Sequence, residues 1–300
     1  MKVLLGIDSS DASQHVLAEV ANRPWPVPTT FAVVHVADMY GLTRVPGLIQ
    51  ESHAQGLALV QAAAEKLRIA DRQASIEVLF GTPRREIAEY ARRWNADLIM
   101  VGSRGHGAVA RLLMGSVAQG VLQTAPCSVE IVRPQASGLS GSTHTMKILL
   151  ATDGSEFSIA ALDSVASRPW PESSEIKLLS IEELPTVLPN QMTASSLSAM
   201  YPASLIEELL AAARAHAEEA VENARIVLRR SSLRLVDGNC SPWGDARMVI
   251  LDEARKWKAD LIVLGSHGRR GLDRLLMGSV AESVAVHAHC SVEVIRLGSD

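Results

Sequence analysis

Cysteine, aromatic residues and an excess of charge of either sign are all scarce in this chain. It has three cysteines among 300 residues, 4% aromatic residues and a formal net charge of −4. So few cysteines, odd in number, argue against a disulfide framework, and a weakly acidic chain offers no reason to expect nucleic acid or an anionic membrane as a partner. We therefore expect a soluble protein of a reducing compartment, the cytoplasm, without nucleic-acid or membrane partners.

Long hydrophobic runs are also missing. The apolar run that begins at Val3 is stopped by Asp8, which makes it too short for the apolar region of a signal peptide. No later run is long enough to span a bilayer.

Recognisable catalytic and metal motifs are the third absence. His35, His106, His267 and the cysteines show no metal-ligand spacing. There is no Walker A lysine motif and no Ser/His/Asp or Cys/His set at a recognisable elbow. We therefore predict no metal site and no catalytic residue.

The sequence does contain a duplication. Two segments of the first part recur 145 residues later, and two further segments recur 163 residues later. The difference of 18 residues indicates insertions in the second copy. The matched pairs are Lys2–Asp8 with Lys147–Asp153, Arg23–Pro26 with Arg168–Pro171, Ala96–Ile99 with Ala259–Ile262, and Leu112–Ala118 with Leu275–Ala281. We predict one domain over residues 1–135, a Pro/Gly/Ser-rich linker over 136–145 and a second domain over 146–300.

Short apolar runs alternate with helix-like stretches in each copy. Such alternation predicts βαβ units and a parallel sheet with helices on both faces. Each copy is therefore predicted to be a doubly wound, Rossmann-like α/β domain with five strands. Within the first copy, Met39–His53 is predicted to be a loop and Gln55–Ala70 a helix.

Glycine and serine recur at matching points of the two copies. The loop Gly102–Gly107 follows the apolar run Leu98–Val101 and precedes Gly115-Ser116-Val117. In the second copy, Leu264–Gly268 and Gly278–Val280 have the same spacing. Glycines allow the backbone to approach a ligand, and the N–H groups at a helix start favour an anion. A phosphate cradle is therefore predicted in both copies.

Asp8 and Asp153 end the first strand of each copy. In a doubly wound sheet, ligands bind beyond the carboxyl ends of the strands where the strand order reverses, which places these aspartates beside the glycine loops. Two interpretations remain open: each Asp binds a ligand, or each caps the helix that follows. Neighbouring residues fill the capping role equally well: Ser9, Ser10, Asp11 and Ser155.

Ser116 and Ser279 also allow two roles. Each is predicted to be the N-cap of the following helix, a phosphate ligand, or both.

The spacing Gly102-x2-Gly105-x9-Gly115-Ser116, repeated as Gly265-x2-Gly268-x9-Gly278-Ser279, resembles the ATP-binding motif of the universal stress protein family. The resemblance extends through both copies. It implies that the cofactor is ATP, with or without Mg²⁺, with its adenine and ribose near the ends of strands one and two and its phosphates on the glycine loop and helix start. The binding residues implied for the first copy are Asp8, Val36, Val101, Gly102, Gly105, Gly115, Ser116 and Val117. Those implied for the second copy are Asp153, Ile181, Leu264, Gly265, Gly268, Gly278, Ser279 and Val280.

The family is also similar in pairing domains through the last strand. Here Ser128–Val132 and Ser291–Ile295 are expected to pair within one chain as a pseudo-dimer, hiding two apolar strand edges. Whether two chains associate further as a homodimer, and which regulatory protein is the partner, stay open.

The leading hypothesis is an ATP-binding, nucleotide-gated regulatory module of a stress response. Hydrolysis is expected to be slow or absent, because no arginine finger, catalytic glutamine or base is recognisable. The alternatives are an ATPase or nucleotidyl-transfer enzyme that uses Asp8 or Asp153 to hold Mg²⁺, and an interaction protein that needs no nucleotide. Insertions in the second copy, Leu184–Leu205 and Cys240–Gly244, leave open whether the two sites bind equally.

Overall fold

A computed structural model describes residues 1–38, 47–105, 114–134, 145–182, 201–241, 244–269 and 277–297. Within these ranges, strands and helices alternate along each half as the sequence predicts. All of the predicted linker except residue 145 lies outside the described residues, so its boundaries stay predictions.

The strands of the two halves correspond one to one. Those of the first half are β1 Lys2–Gly6, β2 Thr30–Ala37, β3 Ala74–Phe80, β4 Leu98–Gly102 and β5 Ser128–Val132. Those of the second half are β6 Lys147–Ala151, β7 Glu175–Ile181, β8 Arg234–Ser241, β9 Leu261–Gly265 and β10 Ser291–Ile295.

The helices correspond in the same way. Those of the first half are α1 Asp11–Asn22, α2 Leu48–Ile69, α3 Pro83–Trp94 and α4 Ser116–Thr124. Those of the second half are α5 Glu156–Ser167, α6 Ala203–Leu228, α7 Ala246–Trp257 and α8 Ser279–His287.

The ten strands form one sheet in the order β3-β2-β1-β4-β5-β10-β9-β6-β7-β8. All pairs within a half are parallel, which confirms the predicted five-stranded parallel sheets. The strand order reverses between β1 and β4 and between β6 and β9. These two points are where a doubly wound sheet opens a crevice for a ligand.

The two sheets are joined edge to edge by β5 and β10, which pair antiparallel. The register sets Val292 opposite Ile131, Glu293 opposite Glu130 and Val294 opposite Val129. The expected pairing of the last strands within one chain is therefore confirmed. Each strand closes an edge that would otherwise present unpaired backbone groups.

The apolar core differs between the two faces of the sheet. On one face, α3, α4, α7 and α8 pack on both halves and form one continuous cluster, which includes Val121, Val129, Val284 and Val292. On the other face, α1 and α2 pack on the first half, and α5 and α6 pack on the second half as a separate cluster. Among the residues that the structure describes, hydrophobic packing therefore unites the halves on one face only.

One predicted boundary was wrong. Helix α2 begins at Leu48, inside the segment Met39–His53 that was predicted to be a loop. Gly41, Pro46 and Gly47, residue types typical of loops, all precede the helix in the sequence, and Gly47 stands at its N-cap with φ 90°. The helix opens with Leu48 and Ile49, but the polar residues Gln50–His53 follow, so no apolar period marks its first turns. Residues 39–46 lie outside the described ranges.

Cys127 and Cys290 are free and buried, each just before the closing strand of its half. Burial raises the pKa of each thiol to about 12, so both are inert small apolar groups at neutral pH. Among the described helices, none combines the length and apolarity needed to cross a membrane.

Candidate functional site

A cavity of about 270 Å³ lies at the carboxyl ends of β6 and β9, where the strand order of the second half reverses. Its apolar wall includes Ala246 and Ile250 of α7. All eight residues predicted for the second copy line it: Asp153, Ile181, Leu264, Gly265, Gly268, Gly278, Ser279 and Val280. The fold thus brings together residues that are up to 127 positions apart in the sequence.

Asp153 is held by both of its carboxylate oxygens. Oδ1 accepts hydrogen bonds from the N–H and Oγ of Ser155, at 3.0 and 2.6 Å. Oδ2 accepts the backbone N–H of Arg269 in the glycine loop, at 2.9 Å. Burial opposes ionisation of this carboxyl, but the hydrogen bonds outweigh it and lower the pKa of Asp153. The site therefore contains a fixed anionic acceptor at neutral pH.

The glycines are required by close contacts rather than by unusual backbone angles. A Cβ at Gly268 would lie 2.7 Å from Asp153 Oδ2, and a Cβ at Gly265 would lie 2.7 Å from the backbone carbon of Phe157. Gly278 donates its N–H to the carbonyl of Ser266 at 2.9 Å, which ties the start of α8 to the loop. The bare backbone therefore packs against the aspartate and α5.

The first half repeats this arrangement. Asp8 Oδ1 accepts the N–H of Ser10 at 3.0 Å and the Oγ of Ser13 at 2.8 Å. A Cβ at Gly105 would lie 2.6 Å from Asp8 Oδ2. Gly115 donates its N–H to the carbonyl of Ser103 at 2.8 Å, as Gly278 does to Ser266. A Cβ at Gly102 would lie 2.6 Å from the Cβ of Ala12.

The predicted N-cap roles need correction. Gly115 and Gly278 occupy the N-cap positions, and Ser116 and Ser279 are the first helical residues. Both serines are exposed at the helix start. Their hydroxyls therefore lie beside the N–H groups of the first turn without serving as caps.

The aspartates are not N-caps either. Ser10 and Ser155 stand at the N-caps of α1 and α5, and Ser155 Oγ accepts the N–H of Ser158 at 3.3 Å. Each aspartate lies two residues before the capping serine and accepts hydrogen bonds from the N–H and the hydroxyl of that serine. Of the two interpretations, capping is excluded by this geometry.

The remaining predicted residues of the first half differ in exposure. Val36 and Val101 are buried in the apolar core, so a ligand contact there would have to come from the backbone. Val117 is 37% exposed in the first turn of α4. Residues 106–113 and 270–276 of the two loops, among them His106, Gly107, Arg270 and Arg274, lie outside the described ranges.

Two histidines at the second site were not predicted. His267 lines the cavity, with its ring centroid 4.9 Å from that of Phe157 and its Nδ1 3.1 Å from Ser266 Oγ. In the first half, Arg104 stands in the place of His267 and Ala12 in the place of Phe157, so this ring contact belongs to the second half. His216, on α6, hydrogen-bonds the carbonyl of Asp153 at 2.9 Å. His216 belongs to no motif, and only the packing of α6 brings it to the site.

Within the described ranges, no group of three or more His, Cys, Asp or Glu side chains is arranged to hold a metal ion.

Comparisons with known proteins bear on both halves. A family model described as "Universal stress protein family" matches residues 1–133 and 144–296. The universal stress proteins Rv2005c and Rv2623 of Mycobacterium tuberculosis are each 28% identical to this chain, and each alignment covers 98% of this chain and 96% of the relative.

Solved structures are similar in fold. A universal stress protein from Archaeoglobus fulgidus has a TM-score of 0.66 and 21% identity, covering 100% of this chain and 97% of that one. A protein of unknown function from Pseudomonas aeruginosa has a TM-score of 0.59 and 16% identity, covering 98% and 92%. The tandem α/β architecture therefore recurs in other proteins over the whole length of this chain.

Proposed function

The chain belongs to the universal stress protein family, and from that premise we propose that each half binds ATP and that the protein is a nucleotide-gated regulatory module. Hydrolysis in this proposal is slow or absent. The observation that carries the proposal is the cavity of the second half, because every residue predicted for nucleotide binding in that half lines it.

The cavity offers distinct surfaces for the parts of a nucleotide. Ile181, Ala246 and Ile250 provide an apolar wall suited to adenine. The Asp153 carboxylate is an acceptor suited to ribose hydroxyls. The backbone near Gly268 and the start of α8 at Ser279 supply N–H and hydroxyl groups suited to phosphates. Mg²⁺ accompanying ATP is usually held largely by the phosphates and water.

The polar groups of the cavity favour binding over hydrolysis. Asp153 is engaged by Ser155 and by the N–H of Arg269, and His267 is packed against Phe157 and bonded to Ser266. A general base must be able to reach the proton of an attacking water. Both candidate bases are instead committed to positioning the loop.

The test is to denature the purified full-length protein and to identify and count the released nucleotide by chromatography and mass spectrometry. Two ATP per chain are expected if both sites are filled and hydrolysis is slow. One ATP per chain would show that the halves have diverged, and ADP would favour the ATPase alternative. No nucleotide, together with no binding of added ATP, would contradict the proposal and leave the interaction protein.

A pair of variants assigns the site in the same assay. Asp153→Asn removes the anionic acceptor and is expected to lower ATP occupancy or affinity in the second half by about tenfold or more. Asp245→Asn changes an exposed N-cap aspartate of the same half and is expected to leave binding unchanged. Equal ATP binding by both variants would argue against a role for Asp153.

A further inference from the structure

Five buried charged side chains meet where the two halves join, on the face of the sheet that lacks a shared apolar core. We call them the seam cluster: Glu19, Arg23, Glu130, Arg168 and Glu293. Glu130 and Glu293 are directly opposed in the β5–β10 register, and they are 0% and 1% exposed. On β5, Glu130 alternates with Val129 and Ile131 of the shared core, so it points to the opposite face, towards α1 and α5.

Arg23 binds two carboxylates at once. Its Nη1 and Nη2 donate to Oε2 and Oε1 of Glu130, both at 2.8 Å. Its Nε and Nη2 donate to Oε1 of Glu19 at 3.0 and 2.8 Å. Arg23 therefore has to compensate two negative charges.

Arg168, the counterpart of Arg23 in the second half, binds one carboxylate. Its Nη2 donates to Oε2 of Glu293 at 2.8 Å, and its Nε donates to the carbonyl of Ser164 at 3.0 Å. Ser164 stands where the first half has Glu19, because both precede their arginine by four residues. The two halves of the cluster thus differ by one carboxylate.

The surroundings of the cluster are apolar except at Arg72, whose Nη2 donates to the backbone carbonyl of Arg23 at 3.5 Å. Arg23 lies 5.4 and 5.5 Å from the ring centroids of Trp25 and Trp170, so it touches aromatic faces from both halves. On the outer sides of β5 and β10, the register partners of the two glutamates are Met100 and Val263, which carry no charge. The nearest further titratable group along α1 is His15, one turn before Glu19.

Three carboxylates and two guanidinium groups leave one negative charge uncompensated if all five are ionised. An unpaired charge away from water is costly, and buried groups avoid that cost by changing protonation state. Binding one proton makes the cluster electrically neutral. The excess originates from Glu19, since the rest of the cluster is balanced.

We propose that the seam cluster holds one exchangeable proton among its carboxyl groups, so that the folded protein is stabilised as the pH falls below neutrality. The titration of Glu130 agrees with this. Burial raises the pKa of Glu130 from 4.5 to about 7, with Arg23 opposing the shift and the carboxylates of Glu293 and Glu19 adding to it.

The direction in which stability changes with pH follows from the raised pKa of Glu130. Between about 4.5 and about 7, the folded protein holds a proton that the unfolded chain releases. The stabilisation is therefore complete below that window and is lost as the pH rises through it.

The test is urea unfolding of the full-length protein between pH 5 and pH 8, compared with Glu19→Gln. One bound proton makes the unfolding equilibrium constant rise by up to about tenfold per pH unit. The wild type is expected to show this additional slope, and Glu19→Gln, which balances the cluster without a proton, is expected to lose it. Equal slopes in the two proteins would overturn the proposal.

Two control variants distinguish protonation of the seam cluster from protonation of other groups. Glu65→Gln removes an exposed carboxylate paired with Arg68 and is expected to keep the wild-type slope. His15→Gln removes the imidazole near Glu19 and is also expected to keep it. If His15→Gln abolished the difference, the histidine and not the carboxyl cluster would be the titrating group.

Infrared spectroscopy tests the proton directly in the folded wild type, without dependence on any variant. A stretch of a protonated carboxyl is expected at pH 6 and is expected to disappear above pH 8. The absence of such a band at pH 6 would show that all three carboxyls are ionised, which contradicts the proposal.

Discussion

At the scale of single residues, Gly115 and Gly278 form a matched pair whose environments differ. Both are N-caps with ordinary backbone angles, φ −68° and −65°. A Cβ at Gly115 would lie 3.4 Å from its nearest neighbour, whereas a Cβ at Gly278 would lie 2.8 Å from the backbone oxygen of Ser266. We expect Gly278→Ala to destabilise the protein by about 1–3 kcal/mol more than Gly115→Ala, because the carbonyl has to move. Thermal unfolding measures the difference, and equal losses would contradict it.

The glycine and serine positions of the site could be predicted because their spacing is retained in both copies. The contacts that hold the aspartates could not, since the partner of Asp153 Oδ2 is a backbone N–H 116 residues away. His267 and Phe157 are likewise far apart in sequence, and nothing in either local sequence indicates that their rings meet. The predicted N-cap positions, Ser116 and Ser279, were wrong by one residue, because residue preferences do not locate a helix start to within one residue.

At the scale of elements, each half supplies an arginine to a helix of the other half. Arg296, which follows β10, donates to the carbonyls of Leu122 and Gln123 in the last turn of α4, at 2.9 and 3.3 Å. Arg133, which follows β5, donates to the carbonyls of Ala285 and Val286 in the last turn of α8. A cation at a helix C-terminus stabilises it by up to about 2 kcal/mol when partly buried.

We therefore expect Arg296→Met to increase hydrogen exchange in α4, in the opposite half of the chain, and to leave α8 protected. Arg133→Met is the reciprocal control and is expected to expose α8. Hydrogen-exchange mass spectrometry resolves the two helices. Faster exchange confined to the half that carries the substitution would refute the cross-capping.

Element identity was predictable where apolar runs were well defined, as in β1, whose run ends before Asp8. The start of α2 was not predictable, since its first turns contribute little to the core and carry no apolar stripe. The two crossed arginines gave no sequence signal, because a lone arginine after a strand usually lies in solvent.

At the scale of the whole molecule, the two halves are joined by contacts among the described residues, outside the connecting segment. They include the β5–β10 ladder, the contact of Arg23 with the ring of Trp170 in the seam cluster, and the crossed arginines. We expect a chain cut at a protease site inserted within residues 135–144 to elute at the same volume as the uncut protein. Size-exclusion chromatography after cleavage, with a urea-treated sample as the control for complete cutting, checks this. Elution at half the mass would show that the linker holds the halves together.

Pairing of the last strands could be predicted from the family resemblance, whereas the buried charges on that ladder could not. Glu130 and Glu293 occupy positions where alternation along the strand predicts an outward polar residue. They are buried because α1 packs on β5, α5 packs on β10 and the two strands pair with each other, and each glutamate is bound by the arginine of its own half.

The antiparallel join also fixes the directions in which the two halves present their ligand edges. Strands β1–β5 run one way and β6–β10 the other, so the two glycine loops open at opposite margins of a single continuous sheet. One small molecule therefore cannot bridge both loops. The two ligand edges face away from each other across a single sheet, at a separation set by the β5–β10 ladder.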